Sequence, residues 1–154
     1  MSGEFEISDL KKHIGFWMRV VSNQVSHAFA KKLADSGVTV AEWVILREMY
    51  GSQHVISPNQ VATLTGLTRG AVSKLIERLL SKGLVTRKES KEDRRYQVIA
   101  LTREAKGLLP KLAKIADEND AYFFSPLTLE EKRILSKLLI KLARENNFSQ
   151  LPIS

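Results

Sequence analysis

Residues 57–83 read SPNQVATLTGLTRGAVSKLIERLLSKG, and the order of caps, breaks and apolar positions in this stretch decides the fold. Ser57-Pro58-Asn59-Gln60 is a helix start: Ser57 is the N-cap, Pro58 takes the first helical position, where its missing N–H is no loss, and Gln60 reaches back to the Ser57 amide. The helix lasts about two turns before Gly66, which enters the left-handed region without a Cβ penalty, breaks it. Thr68 restarts a helix at once, with Val72, Leu75, Ile76 and Leu79 on one face, and Gly83 stops it. Ala62, four residues before Gly66, offers a small side chain where the two helices must approach. Two helices joined by so sharp a turn predict a helix-turn-helix, since caps, glycine break and buried positions all agree.

Outward from this core the pattern changes twice. Residues 84–88 and 96–101 are β-prone runs joined by a charged loop at 89–95, which predicts a two-stranded hairpin. Upstream, Thr39-Val40-Ala41-Glu42 is a capping box opening a helix with Trp43, Ile45, Leu46 and Met49 on its buried face and Gly51 at its end. Leu10, Ile14, Trp17, Val21, Val25 and Ala28 recur at spacings of three and four, predicting one long amphipathic helix over 8–34. Downstream, Thr102 caps a helix running to Phe124, with Leu108, Leu109, Leu112, Ile115 and Ala116 on one side; Pro110 inside it predicts a kink or local distortion. Thr128-Leu129-Glu130-Glu131 is a further capping box, followed by an apolar stripe of Leu135, Leu138, Leu139 and Leu142. The ends, residues 1–7 and 146–154, read as frayed.

The predicted class is therefore mainly α with a small β-hairpin wing, a single unit over 1–154. Its winged helix-turn-helix part spans 38–101. Its helical dimerisation part, 8–34 and 102–146, carries apolar faces that one small winged domain cannot bury.

Composition narrows the function. A hydrophobic fraction of 44% and a charged fraction of 27% are those of an ordinary globular chain. The absence of cysteine removes disulfide frameworks, thiol catalysis, thiol redox sensing and Cys-based zinc sites together. No apolar run reaches the roughly 18–20 residues of a membrane span, and residues 1–7 lack an apolar signal core, so the expected location is the cytoplasm, away from any membrane. The net charge of +7 points to a polyanion. Nine basic residues against four acidic ones place +5 within residues 69–95, on the second helix and the hairpin.

The outward side of that second helix carries Thr68, Arg69, Gly70 and Ser73 in its first turns, with Lys74 and Arg78 further along. Helix N-terminal amides bind phosphate, short polar side chains there approach base edges, and an arginine forks onto guanine. The blander reading is a Thr68 cap and a solvated Lys74 and Arg78 face. On the hairpin, Arg87, Lys88 and the loop Asp93-Arg94-Arg95 extend the basic surface. An arginine at a loop tip can enter the narrow minor groove, and Asp93, two residues from Arg95, can hold that guanidinium in a planar pair, leaving Arg94 for the backbone. The expected partner is double-stranded DNA.

Gly66-Leu67-Thr68-Arg69-Gly70-Ala71-Val72-Ser73, then Leu79-Leu80-Ser81-Lys82-Gly83-Leu84-Val85, then Asp93-Arg94-Arg95 and Ile99-Ala100-Leu101-Thr102, resemble in order and spacing the MarR (multiple antibiotic resistance regulator) family of bacterial winged-helix transcription factors. The flanking helices extend the resemblance over nearly the whole chain. Lys106-Gly107 departs slightly, because the family commonly has a glycine earlier after the Leu-Thr pair. The resemblance implies a homodimer held by the first and last two helices and reading an inverted-repeat operator. It also implies a repressor released by a small aromatic or lipophilic effector bound between the dimerisation and DNA-binding parts.

For that effector the candidate lining is His13, Phe16, Trp17, Trp43 and Arg47, although an aromatic stripe at helical spacing is more often core. His13, His27 and His54 share no ligand spacing, so no metal and no cofactor are expected. No phosphate loop, metal-binding pair or nucleophile triad is legible, so an enzyme is not expected. Two other readings stay open: a winged-helix module that binds protein, and a DNA-binding protein that answers to no ligand.

Overall fold

The computed structural model describes residues 6–89 and 97–154. A short 3-10 turn, Leu10–Lys12, precedes helices α1 (Ile14–Ala34) and α2 (Val40–Gly51) and strand β1 (Val55–Ile56). Helices α3 (Pro58–Thr65) and α4 (Arg69–Ser81) follow, then strands β2 (Val85–Glu89) and β3 (Gln97–Leu101), and helices α5 (Arg103–Phe123) and α6 (Leu129–Glu145).

The helix starts are chemical. At Thr39, Ser57 and Thr128 the side-chain oxygen accepts the N3 amide while the N3 Glu or Gln returns to the cap amide, so all three capping boxes form. In the last of them the Thr128 amide and hydroxyl hold the Glu131 carboxyl below its ordinary range. Gly66 (φ 72°) and Gly83 (φ 70°) take the left-handed turns that end α3 and follow α4. Thr65, buried at the end of α3, donates to the Val61 carbonyl at 2.7 Å and accepts the Leu67 amide at 3.2 Å, which tightens the turn between the helices.

The core lies under the helix-turn-helix. Ile45, Leu46 and Met49 of α2, Val61 of α3, Leu75 and Leu79 of α4, Ile99 of β3 and Leu112 of α5 are essentially sealed. Full burial of such a side chain stabilises by about 1.5–3 kcal/mol. Leu33, in the last turn of α1, is buried in this core with Phe29 packed against it, and no residue of α6 is buried. A polar clasp fastens α1 to α5: buried Asn119 donates to the Val25 carbonyl at 3.2 Å and accepts from Lys32 Nζ at 2.9 Å.

Three expectations change. The predicted helix over 8–34 is broken at His13, whose extended backbone (φ −80°, ψ 127°) ends the 3-10 turn and caps α1. The wing is a three-stranded sheet in the order β1-β3-β2: Val55 and Ile56 pair antiparallel with Ala100 and Ile99, beside the β2–β3 ladder. A two-residue strand has no periodicity of its own and exists only through its partner. Residues 146–154 are not frayed. Asn147, at φ 57°, is the left-handed residue of a Schellman motif in which the Phe148 amide bonds to the Ala143 carbonyl at 2.8 Å. The chain then turns back, and the Leu151 amide donates to the Leu64 carbonyl of α3 at 2.8 Å.

Candidate nucleic-acid interface

Helix α4 has two unlike sides. Val72, Leu75, Ile76 and Leu79 are at most 4% exposed, whereas Thr68, Arg69, Gly70, Ser73, Lys74, Glu77 and Arg78 all face solvent. The apolar side is consumed by the core, which fixes the rotation of the helix and leaves one polar, mostly basic face. Thr68 is the N-cap, its hydroxyl accepting the Ala71 amide at 3.2 Å. Gly70 is open: a Cβ built there meets nothing within 4 Å, so packing inside the chain does not require glycine.

Both ends of α4 are held. At the C-terminus Lys82 Nζ reaches the Glu42 carboxylate at 2.7 Å and the Gly37 carbonyl at 2.9 Å. Thr102 donates its hydroxyl to the Gly83 carbonyl at 2.8 Å and caps α5 with the same oxygen. Glu42 is fully buried. Burial pushes its carboxyl up, but the hydrogen bond from Lys82, those from the Thr39 backbone and hydroxyl, and the Lys82 charge together outweigh this, so it titrates below the usual carboxylate range. One oxygen, Oε1, accepts from both Lys82 Nζ and the Thr39 amide, while Oε2 has no hydrogen-bond partner among the described residues. The capping box at Thr39 was legible from spacing, but the ion pair that doubles its use was not, because 40 residues separate the partners.

Beside α4, strand β2 presents Arg87 and Lys88, both exposed, opposite Ile99 and Val98 of β3. Arg87 forms an ion pair with Glu77 of α4, so strand and helix are joined across the basic surface. Asp93, Arg94 and Arg95 lie outside the described residues.

The aromatic candidates fall in separate places. His13 precedes α1, and Phe16 meets Trp17 edge-on with centroids 5.1 Å apart. Trp17 donates its indole N–H to the Lys11 carbonyl at 2.8 Å and borders a cavity of about 480 Å³ between α1, α5 and α6, together with Ile14, Met18, Phe124 and Leu135. Trp43 packs edge-on against Phe29, centroids 6.3 Å apart, in a different cleft between α1 and α2. The Arg47 guanidinium lies near Gly51, along its own helix. Among the described residues no three His, Asp or Glu side chains come together in a way that could hold a metal ion, and no helix is long and apolar enough to cross a membrane.

A helix-turn-helix with a basic outward helix and an adjoining small sheet, followed by two long helices, is the arrangement the sequence predicted. Residues 36–95, spanning the region from the α1–α2 turn into the wing, match the model of the MarR family. Over that region the chain is similar to the MarR family. Members of it are transcription factors and not enzymes. Among solved structures it is similar to a probable transcriptional regulator from Pseudomonas aeruginosa, at 27% identity, 87% of this chain and 99% of that one, with a TM-score of 0.74. It shares its fold with Bordetella bronchiseptica BpsR, whose DNA binding is regulated by 6-hydroxynicotinic acid (23% identity, 90% and 98% covered, TM-score 0.77). It shares it equally with a mutant of MarR from E. coli complexed with operator DNA (23% identity, 88% and 99% covered, TM-score 0.74).

Proposed function

We propose that this chain is a MarR-family regulator, acting as a homodimeric repressor that binds an inverted-repeat operator in double-stranded DNA and leaves it when a small aromatic or lipophilic effector binds. The observation that carries the reading is the solvent face of α4, where Thr68, Arg69, Gly70, Ser73, Lys74 and Arg78 stand together over a fully committed apolar side. In the major groove such a face supplies Arg69 to guanine, Ser73 to a base edge or phosphate, and Lys74 and Arg78 to the backbone. Arg87 and Lys88, with Asp93, Arg94 and Arg95 of the wing, extend the contact to the flanking groove. The open space at Gly70 supports close approach of a duplex.

The dimer reading is supported by exposed apolar side chains on two helices: Ile14, Trp17 and Val21 on α1, and Leu138, Leu139 and Leu142 on α6. Isolated exposed apolar residues are common, but two unpartnered faces of this length mark an interface. On this reading the winged part is 38–101 and the assembly part is 8–34 with 102–146. The MarR complex with operator DNA and the effector-regulated DNA binding of BpsR support extending both properties to this chain. The effector would then lie among the aromatic side chains of α1 and α2.

Selection of bound duplexes from a random pool, followed by titration of the selected site against salt, tests the proposal. The expected outcome is an inverted repeat with half-sites about one helical turn apart and an affinity falling steeply with salt. Recovery of no consensus, or an affinity indifferent to salt, would overturn it.

A further inference from the structure

The last seven residues leave α6 at the Asn147 turn and run back over the helix-turn-helix. Leu151 and Ile153 are half-buried while Gln150, Pro152 and Ser154 are exposed, the alternation of an extended segment laid along a surface. The segment is fixed at two places. Its Leu151 amide bonds to the Leu64 carbonyl at 2.8 Å, and the Gln150 side chain lies directly over Gly66, close enough that an added Cβ would fall 2.4 Å from Nε2. Its end, Pro152 and Ser154, forms one wall of the α1–α2 cleft whose other walls are Phe29, Val40, Trp43 and Val44.

The space left in that cleft is about 180 Å³. Pockets that take drug-sized molecules run to roughly 300–1,000 Å³. With the tail seated, the apolar walls around Trp43 are therefore already covered by the chain itself.

We propose that residues 148–154 are an intramolecular stopper of the Trp43 cleft, and that small apolar ligands enter the cleft only by displacing them. The same displacement breaks the Leu151–Leu64 bond and lifts Gln150 from Gly66, the turn from which the α4 N-terminus departs. Ligand arrival is thereby communicated to the DNA-facing helix. This last link rests on the ligand-responsive reading proposed above; the stopper does not.

A binding-competent state present only a fraction of the time weakens apparent affinity by that fraction. The test compares three proteins, each checked for a cooperative melt: the full chain, full-length Leu151→Pro, which lacks the amide that bonds Leu64, and a chain ending at Asn147. Anilinonaphthalene sulfonate serves as the apolar probe. The expected result is probe binding about tenfold tighter or more in the shortened chain and tightened in Leu151→Pro. A synthetic peptide of residues 148–154 should restore weak binding at about millimolar concentration, since a short tether has an effective concentration of that order. Equal or weaker probe binding in the two variants, no binding in any of the three, or tightening that the peptide does not reverse would each overturn the stopper. If the probe results are as expected but operator affinity is unmoved by probe in all three proteins, the stopper stands and the ligand-responsive reading falls.

Discussion

Glu42 has no exposed surface, yet it carries a charge that Lys82 neutralises from the C-terminal end of α4. Removing one partner of a buried pair strands the other, at a cost of about 3–5 kcal/mol. Lys82→Ala should destabilise by about 3 kcal/mol, the low end of that range, because the Lys82 side chain remains 36% exposed. The pH dependence has a definite sign. Glu42 titrates lower in the folded chain than its ordinary 4.5, so the pair contributes fully above that value and is lost as pH falls through the lower folded one. Chemical denaturation of wild type and Lys82→Ala should therefore show a stability gap widest at neutral pH and narrowing below about 4.5; a gap constant with pH would remove the ion pair as its cause. Gly70 separates folding from binding at the same scale. Nothing among the described residues occupies the space a Cβ would take, so Gly70→Ala should leave stability unchanged or raise it by about 0.5 kcal/mol while weakening operator binding. Retained affinity would mean that no duplex approaches there. Lys88, exposed on β2, is proposed to meet phosphate. Lys88→Ala should weaken all duplexes alike and reduce the salt slope by about one, whereas a sequence-selective loss would place it on a base.

Elements that announce themselves in local chemistry were legible, and those that depend on a distant partner were not. The capping box at Ser57 uses only residues three apart, both hydrogen bonds forming at 2.7 and 3.1 Å. Ser57→Ala should cost about 1 kcal/mol, measured by thermal or denaturant unfolding, with fraying confined to α3 by hydrogen exchange; protection unchanged at α3 would deny the cap its role. Strand β1 went unread as a strand because its two residues acquire strand character only from Ala100 and Ile99. Asn147 offered a usable signal, an asparagine just past an apolar helix where a left-handed residue is favoured. Composition and terminal position outweighed it. The solvent-facing side of α4 was legible because its buried positions alone orient the helix. The Glu77–Arg87 ion pair, which joins that helix to the wing strand, depends on the sheet turning β2 toward α4.

At the scale of the whole molecule, α6 is a helix with an apolar stripe and no buried residue. Its capping box and helical propensity form it, and on the proposed reading a second copy buries the stripe. A charge at the centre of that face should prevent assembly. Leu138→Glu is expected to convert a dimer to a monomer in sedimentation or light scattering and to abolish high-affinity operator binding, since a single winged unit spans one half-site. A monomeric wild type, or a dimeric Leu138→Glu, would move the interface elsewhere.

The helix-turn-helix and the outward basic face were determined by the sequence alone, because caps, glycine breaks and the 3.6-residue period act within a few residues. Tertiary structure decided the third strand, the Glu42–Lys82 tie, the separation of Trp17 from Trp43 and the return of the C-terminal segment. Each of these joins residues far apart in the chain, and contacts of that kind are set by how whole elements pack, which no local pattern encodes.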